Sequence, residues 1–216
     1  MRWLPTVVVA LIGATLLAAD ERGRTIKFSK DDAGKVPGGW KAAQTGKGES
    51  VWKVVADDTA PSKTGFVLAQ TTDNRDALFN LCVADDPRLK DIEAMVSFKA
   101  VKGEKDQGGG LVWRYQDANN YYVARMNPLE DNFRVYKVVG GKRSQEFQST
   151  DVKVSAGEWH TLKVQHVGDH IECFLDGKKL LDVKDDSISK AGKVGLWTKA
   201  DAQTHFDQFT VKEAVK

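Results

Sequence analysis

From Thr25 onward the apolar residues recur mostly at every second position or in short runs, and turn-forming residues interrupt them about every ten positions. Period two is the signature of strands whose side chains alternate between a packed and a second face, so the pattern predicts an antiparallel, all-β sandwich. The alternation places strands at 51–56, 65–70, 77–83, 91–101, 109–116, 121–127, 133–139, 159–167, 170–176, 179–183, 193–198 and 205–212. The stretches Val138-Val139-Gly140-Gly141 and Leu175-Asp176-Gly177-Lys178 supply residues that tolerate positive φ, as tight hairpins require. Only 87–89 and 185–191 are compatible with a short helical turn. No internal repeat or low-complexity tract interrupts the pattern.

Before this region stand Met1 and Arg2, an apolar run from Val7 to Ala19, and an abrupt change at Asp20-Glu21-Arg22. The run reads as a secretory signal over 1–19, cut near Ala18 or Ala19, which predicts a secreted or periplasmic protein. A membrane anchor is the competing reading, but about thirteen apolar residues fall short of the roughly 20 that a spanning helix needs. No membrane contact is expected after cleavage. The remainder, 20–216, is large enough to bury roughly 70% of its unfolded surface and has no Ser/Pro-rich break, so one domain and a monomer are expected.

Lys and Arg total 32 against 30 Asp and Glu, a formal charge of +2, with the signs interspersed. Such a surface carries no footprint for nucleic acid. Cys82 and Cys173 are the only cysteines. Export would permit a bridge closing a loop of about 90 residues, worth about 4 kcal/mol in the chain-entropy account; two buried thiols in separate strands are the favoured alternative. The histidines His160, His166, His170 and His205 do not pair with cysteines at ligand spacing, so no metal or other cofactor is expected. Asp201 and Asp207 flank the last hairpin turn, where capping of backbone amides is the first reading and calcium the second. His160 and His205 are general-base candidates without an identifiable carboxylate partner, which favours structural roles. Trp40, Trp52 and Trp159 read as packing residues, and Asp57-Asp58 and Asp185-Asp186 as solvated turns.

The segment WHTLKVQHVGDHIECFLDGKKLLD from Trp159, followed by GKVGL at Gly192 to Leu196 and FDQFTV at Phe206 to Val211, resembles the concanavalin A-like lectin/glucanase superfamily. PGGW (Pro37 to Trp40), VWKVV (Val51 to Val55) and GGLVWR (Gly109 to Arg114) look like the 3-keto-disaccharide hydrolase branch of that group. The resemblance implies a jelly-roll sandwich whose concave outer face holds saccharide. The paired-carboxylate motif E-x-D-x-x-E of laminarinase-type relatives is missing; Asp91-Ile92-Glu93 and Glu130-Asp131 have the wrong spacing for retaining hydrolysis. The opening F-N-G-K-x-L-x-G-W of the 3-keto branch is only partly echoed by Phe28-Ser29-Lys30-Asp31 and Gly38-Gly39-Trp40.

Alternation on either side of the turn Asp117-Ala118-Asn119-Asn120 gives the candidate site. Leu111, Trp113 and Tyr115 share one face of their strand, with Val112, Arg114 and Gln116 on the other; Tyr122, Ala124 and Met126 oppose Tyr121, Val123, Arg125 and Asn127. The same rule sets Arg134 and Tyr136 opposite Phe133 and Val135, and Trp197 and Lys199 opposite Leu196 and Thr198. Arg114, Tyr121, Arg125, Asn127, Tyr136, Trp197 and Lys199 are therefore expected on an open face where aromatic rings stack on sugar C–H groups and guanidinium forks bind vicinal hydroxyls. An ordinary solvated face is the alternative. Three functions remain: a non-catalytic carbohydrate-binding sandwich, the leading one; an enzyme cleaving 3-keto-glycosides, in which the keto group acidifies the C2 proton and a base starts elimination; and a laminin-G-like protein-interaction domain.

Overall fold

The computed structural model describes residues 23–74, 78–144 and 147–215. The signal-like run, the first residue of the strand expected at 77–83 and the proposed cleavage positions lie outside the described residues. Among the described residues there are sixteen strands: β1 (Arg24–Ile26), β2 (Trp40–Thr45), β3 (Trp52–Ala56), β4 (Phe66–Gln70), β5 (Phe79–Ala84), β6 (Ile92–Lys102), β7 (Gly109–Asp117), β8 (Asn120–Asn127), β9 (Asn132–Val139), β10 (Lys142–Arg143), β11 (Gln148–Asp151), β12 (His160–Val167), β13 (His170–Leu175), β14 (Lys178–Lys184), β15 (Lys193–Lys199) and β16 (Gln203–Glu213). All twelve expected strands are found. Added to them are β1, β2, β10 and β11, which are short, polar or mixed in pattern. The helical turns expected at 87–89 and 185–191 do not form; the helix among the described residues is a single 3-10 turn, Lys30–Asp32.

The strands form two antiparallel sheets. The first runs β14-β13-β12-β6-β16-β4-β3, with β1 also on β16; the second runs β10-β9-β8-β7-β15-β5-β2, with β11 also on β9. Between the sheets lies one continuous core that includes Trp40, Trp52, Leu111, Trp113, Tyr122, Phe133, Leu196, Phe206 and Phe209. Cys82 and Cys173 are buried in it as free thiols, and burial pushes both well above the usual thiol range.

The second sheet is strongly curled. In the strand order β2 stands four places from β8, about 19 Å in a flat sheet, yet Thr45 Oγ1 lies 2.8 Å from the Tyr121 hydroxyl and donates to the Ala118 carbonyl. Arg143, on edge strand β10, lies over the rings of both Tyr136 (4.7 Å) and Phe79 of β5 (5.7 Å). The hollow so formed is filled by Phe79, Leu81, Val83, Val112, Tyr121, Val123, Tyr136, Val138 and Trp197, a second hydrophobic cluster outside the main core. The face expected to be open is closed over by its own side chains. The alternation holds for Tyr121, Arg125, Asn127, Tyr136 and Trp197, which are nonetheless buried rather than open to solvent.

Candidate functional site

Along β8, Tyr121, Val123, Arg125 and Asn127 point into this hollow as the period-two pattern requires. Strand register then fixes their neighbours: Trp197 pairs with Gly110, Gly110 with Arg125, and Arg125 with Arg134, giving one row across β15, β7, β8 and β9. Gly110 lets β8 approach β7 closely between the two large side chains. A Cβ there would stand 2.3 Å from the Ala124 carbonyl oxygen and 3.0 Å from the Arg125 Cβ, so the backbone packing admits glycine alone.

Arg125 is 2% exposed. Its Nη2 donates to Glu130 Oε2 at 2.7 Å and to the Tyr136 hydroxyl at 3.4 Å, while Nη1 is buried without an acceptor. Trp197 Nε1, also buried, makes no well-formed hydrogen bond, with the Tyr121 hydroxyl as its neighbouring oxygen. One step along the strands, Asp106 receives Asn127 Nδ2 (3.0 Å) and Lys199 Nζ (2.5 Å), and Asn127 Oδ1 accepts the Leu129 and Glu130 amides. Asn132 Nδ2 reaches Glu130 Oε2 at 3.2 Å. Burial raises the Asp106 carboxyl above the usual carboxylate range despite Lys199. Burial pushes Glu130 the same way, but Arg125 and Asn132 outweigh it and hold Glu130 low. The hollow therefore holds two carboxyl groups whose proton affinities are displaced in opposite directions, joined through Asn127.

Five of the seven predicted residues, Arg125, Asn127, Tyr136, Trp197 and Lys199, converge on this polar end of the hollow. Tyr121 lies at its other end, with its hydroxyl bonded to Thr45 and its ring stacked on Tyr115 at 6.0 Å. Arg114 leaves the face altogether. It sits at φ 45° within a bulge that shifts the β7–β8 register between Trp113 and Asp117. Relative to β15 one residue is inserted between Val112 and Tyr115, which reverses the alternation beyond it, so Tyr115 joins the hollow and Arg114 turns between the sheets, 0% exposed. There it donates to the carbonyls of Lys90 (2.8 Å), Gly168 (2.8 Å) and Ile188 (3.1 Å), with Asp91 3.5 Å away. Neighbouring Trp113 donates from Nε1 to His166 Nδ1 at 2.9 Å, and burial depresses His166 to about 3.

Asp106 lies in a polar loop with no sequence motif to mark it, and Glu130, whose spacing to Asp131 does not suit retaining hydrolysis, carries no sequence signal for its bond to Arg125. Nor does the sequence show partners for His160 and His205. Their Nδ1 atoms each lie 2.7 Å from a carboxylate, Asp176 and Asp57 respectively. Asp57 is no solvated turn residue: Lys99 Nζ stands 2.5 Å away, and Thr59 Oγ1 accepts from both Lys99 and the half-buried Trp159. Burial raises Asp57, but Lys99, Thr59 and His205 outweigh it and hold it far below the usual range. Asp185 is likewise largely buried, bonded to Tyr122, Lys137 and Ser187.

Asp201 accepts the amides of Glu104, Lys105 and Asp106, and Asp207 those of Ser62 and Gln208. Both carboxylates cap backbone, which fits the first reading of these positions. Among the described residues His170, Glu172 and Asp182 offer donor atoms within 4.8 Å of one another. Lys179 Nζ stands between the two carboxylates at 2.7 and 2.9 Å, so an ion there would have to displace an ammonium.

No curated protein matches the chain. Among solved structures it is similar to the carbohydrate binding module CBM66 from Bacillus subtilis (TM-score 0.65, 20% identity, 82% of this chain and 96% of that one). A protein of unknown function with a galectin-like fold from the same organism gives a TM-score of 0.59 at 12% identity, over 82% and 90% of the two chains. A putative glycosyl hydrolase from Parabacteroides distasonis gives 0.51 at 16%, over 82% and 89%. These likenesses establish the fold, a concanavalin A-like sandwich. The sequence itself matches a family over residues 29–212, nearly all of the described fold: the chain belongs to the 3-keto-alpha-glucoside-1,2-lyase-like domain family.

Proposed function

We propose that this protein is an exported, monomeric saccharide-recognising β-sandwich whose ligand enters the hollow of the curled sheet at Arg125 and Trp197. The observation that carries this reading is the buried donor Arg125 Nη1, which has no acceptor, in the same strand row as Trp197, whose Nε1 makes no well-formed hydrogen bond and has the Tyr121 hydroxyl beside it. A buried unsatisfied donor costs about 1 to 3 kcal/mol, and Arg125 Nη1 beside a weakly bonded indole N–H suits a site completed by the oxygens of a ligand. Arg143, exposed and stacked over Tyr136 and Phe79, lies at the rim of the hollow. Family membership and the likeness to a carbohydrate binding module favour a sugar as that ligand.

Family membership and the ionised Glu130 favour a second reading, elimination from a 3-keto-glycoside. Glu130, held ionised by Arg125, takes the acidified C2 proton; the C1–O bond breaks as the C1–C2 double bond forms; the departing oxygen takes a proton from solvent. Glycan-array binding followed by calorimetry tests the first reading. Trp197→Phe removes the indole N–H; it is expected to weaken binding two- to tenfold, as one lost hydrogen bond should, and, because Trp197 is buried in the second cluster, to lower the melting temperature through the cavity it leaves, so binding is compared where both proteins are folded. Wild-type protein that binds no glycan, or a variant that binds unchanged, removes this reading. Release of alcohol from a 3-keto-α-glucoside by purified protein decides the second.

A further inference from the structure

At the far end of β8 from Asn127, about 20 Å away along the strand, a separate depression of about 330 Å³ lies between the hairpin tips and the loop 185–191. It is lined by Gln116, Asn120, Val139, Ser187, Ile188, Ser189 and Lys190. Its wall is held with unusual thoroughness for a surface loop. Tyr122 donates to Asp185 and its hydroxyl accepts the Ile188 amide; Lys137 Nζ binds Asp185 (2.7 Å) and Ser187 (2.5 Å). The buried Arg114 holds the Ile188 carbonyl, and Gln116 Nε2 the carbonyls of Lys190 and Ala191. The loop backbone is thus fixed from β7, β8 and β9, while its exposed side chains are left over. Ser189 Oγ, Lys190 Nζ and Gln116 Oε1 have no partner among the described residues.

We infer that this depression is a second saccharide-binding site, with the fixed loop 185–191 as its wall and Arg114 as its positioning residue. The inference rests on the sugar-binding reading for its ligand class but not on the hollow around Arg125. Val139, 47% exposed, beside the edge of the largely buried Ile188, offers an apolar surface for ring C–H groups, and the free hydroxyl, amide oxygen and ammonium around it match the mixed donors and acceptors of a polyol. An anion suits the place poorly. Asp117 bonds Asn120, Asp185 bonds Ser187, and Lys190 is the single cation in the lining. The volume is at the lower end of small-molecule sites, which fits a terminal sugar unit. A preorganised wall lowers the ordering cost that a mobile loop would add on binding.

The test is an amide NMR titration of the folded protein with maltose, with cellobiose and, separately, with inorganic phosphate. The side-chain NH2 signals of Gln116 and Asn120 and the backbone amides of 187–190 report this site, while the Trp197 indole signal reports the hollow. One or both disaccharides are expected to shift the first set. Ser189→Trp, an exposed substitution that fills the depression and should leave the melting temperature unchanged, is expected to abolish those shifts, and Lys190→Ala to weaken them about tenfold. Shifts confined to Trp197 leave the proposed function standing and overturn this inference. So do shifts produced by phosphate alone, no shift at 116, 120 or 187–190, or shifts that survive Ser189→Trp.

Discussion

Replacing Arg114 by methionine is the most direct probe of how the two sheets are tied together. Methionine keeps the Cβ and much of the chain length, and any non-glycine residue bears the same strain at φ 45°, so the change isolates the guanidinium. Three bonds are lost, to Lys90, Gly168 and Ile188 at 2.8, 2.8 and 3.1 Å, with the longer approach to Asp91. Hydrogen bonds to charged groups are worth roughly 1.5 to 3 kcal/mol each, but removing the charge also returns the several kcal/mol of desolvation that a fully buried ion carries. The net loss should be about 3 kcal/mol, the lower edge of what breaking a buried ionic network costs. For a domain of this size 1 kcal/mol corresponds to about 2 to 4 °C, so the melting temperature should fall by about 6 to 12 °C. Differential scanning calorimetry measures it, with the exposed Arg143→Met as a control expected within about 0.5 kcal/mol of wild type. Hydrogen exchange should also quicken at 187–191. An Arg114→Met protein melting within about 2 °C of wild type would refute the structural role assigned to this arginine.

Acid should weaken the fold before its carboxylates titrate. His166 is held neutral, at about 3 against 6.5 in the unfolded chain, and burial lowers His205 as well; stability is therefore complete above about pH 6.5 and declines as pH falls toward 3, by up to about 1.4 kcal/mol per unit for each proton taken up. Denaturant melts between pH 6 and 4.5 should show a shallower decline for His166→Gln, and equal slopes would contradict the assignment. Cys82 and Cys173 should resist a thiol reagent in the native protein and yield two free groups once denatured without reductant; a count of zero in a monomer would mean a bridge.

Much of this protein is written in its local pattern. Period two placed twelve strands within a residue or two of their observed ends and assigned Tyr122, Phe133 and Leu196 to the core and Tyr121, Tyr136 and Trp197 to the opposite face. These are properties of a strand and its own side chains, so sequence determines them. Three decisions needed the tertiary structure. Whether the second face is open depends on sheet curvature, which brings Thr45 to Tyr121 and Arg143 to Phe79 from strands far apart in the order. Whether Arg114 follows the alternation depends on a bulge that no residue pattern announced, because its register is set jointly by β7, β8 and β15. And whether Asp106, Glu130 or Asp57 finds a cationic or histidine partner depends on loops that fold back over the sheets: Asp57 and His205 are 148 residues apart in sequence and 2.7 Å apart in space. Alternation is local, whereas closure, bulges and charge pairing arise from the balance of packing and desolvation between distant segments, which the chain order does not display.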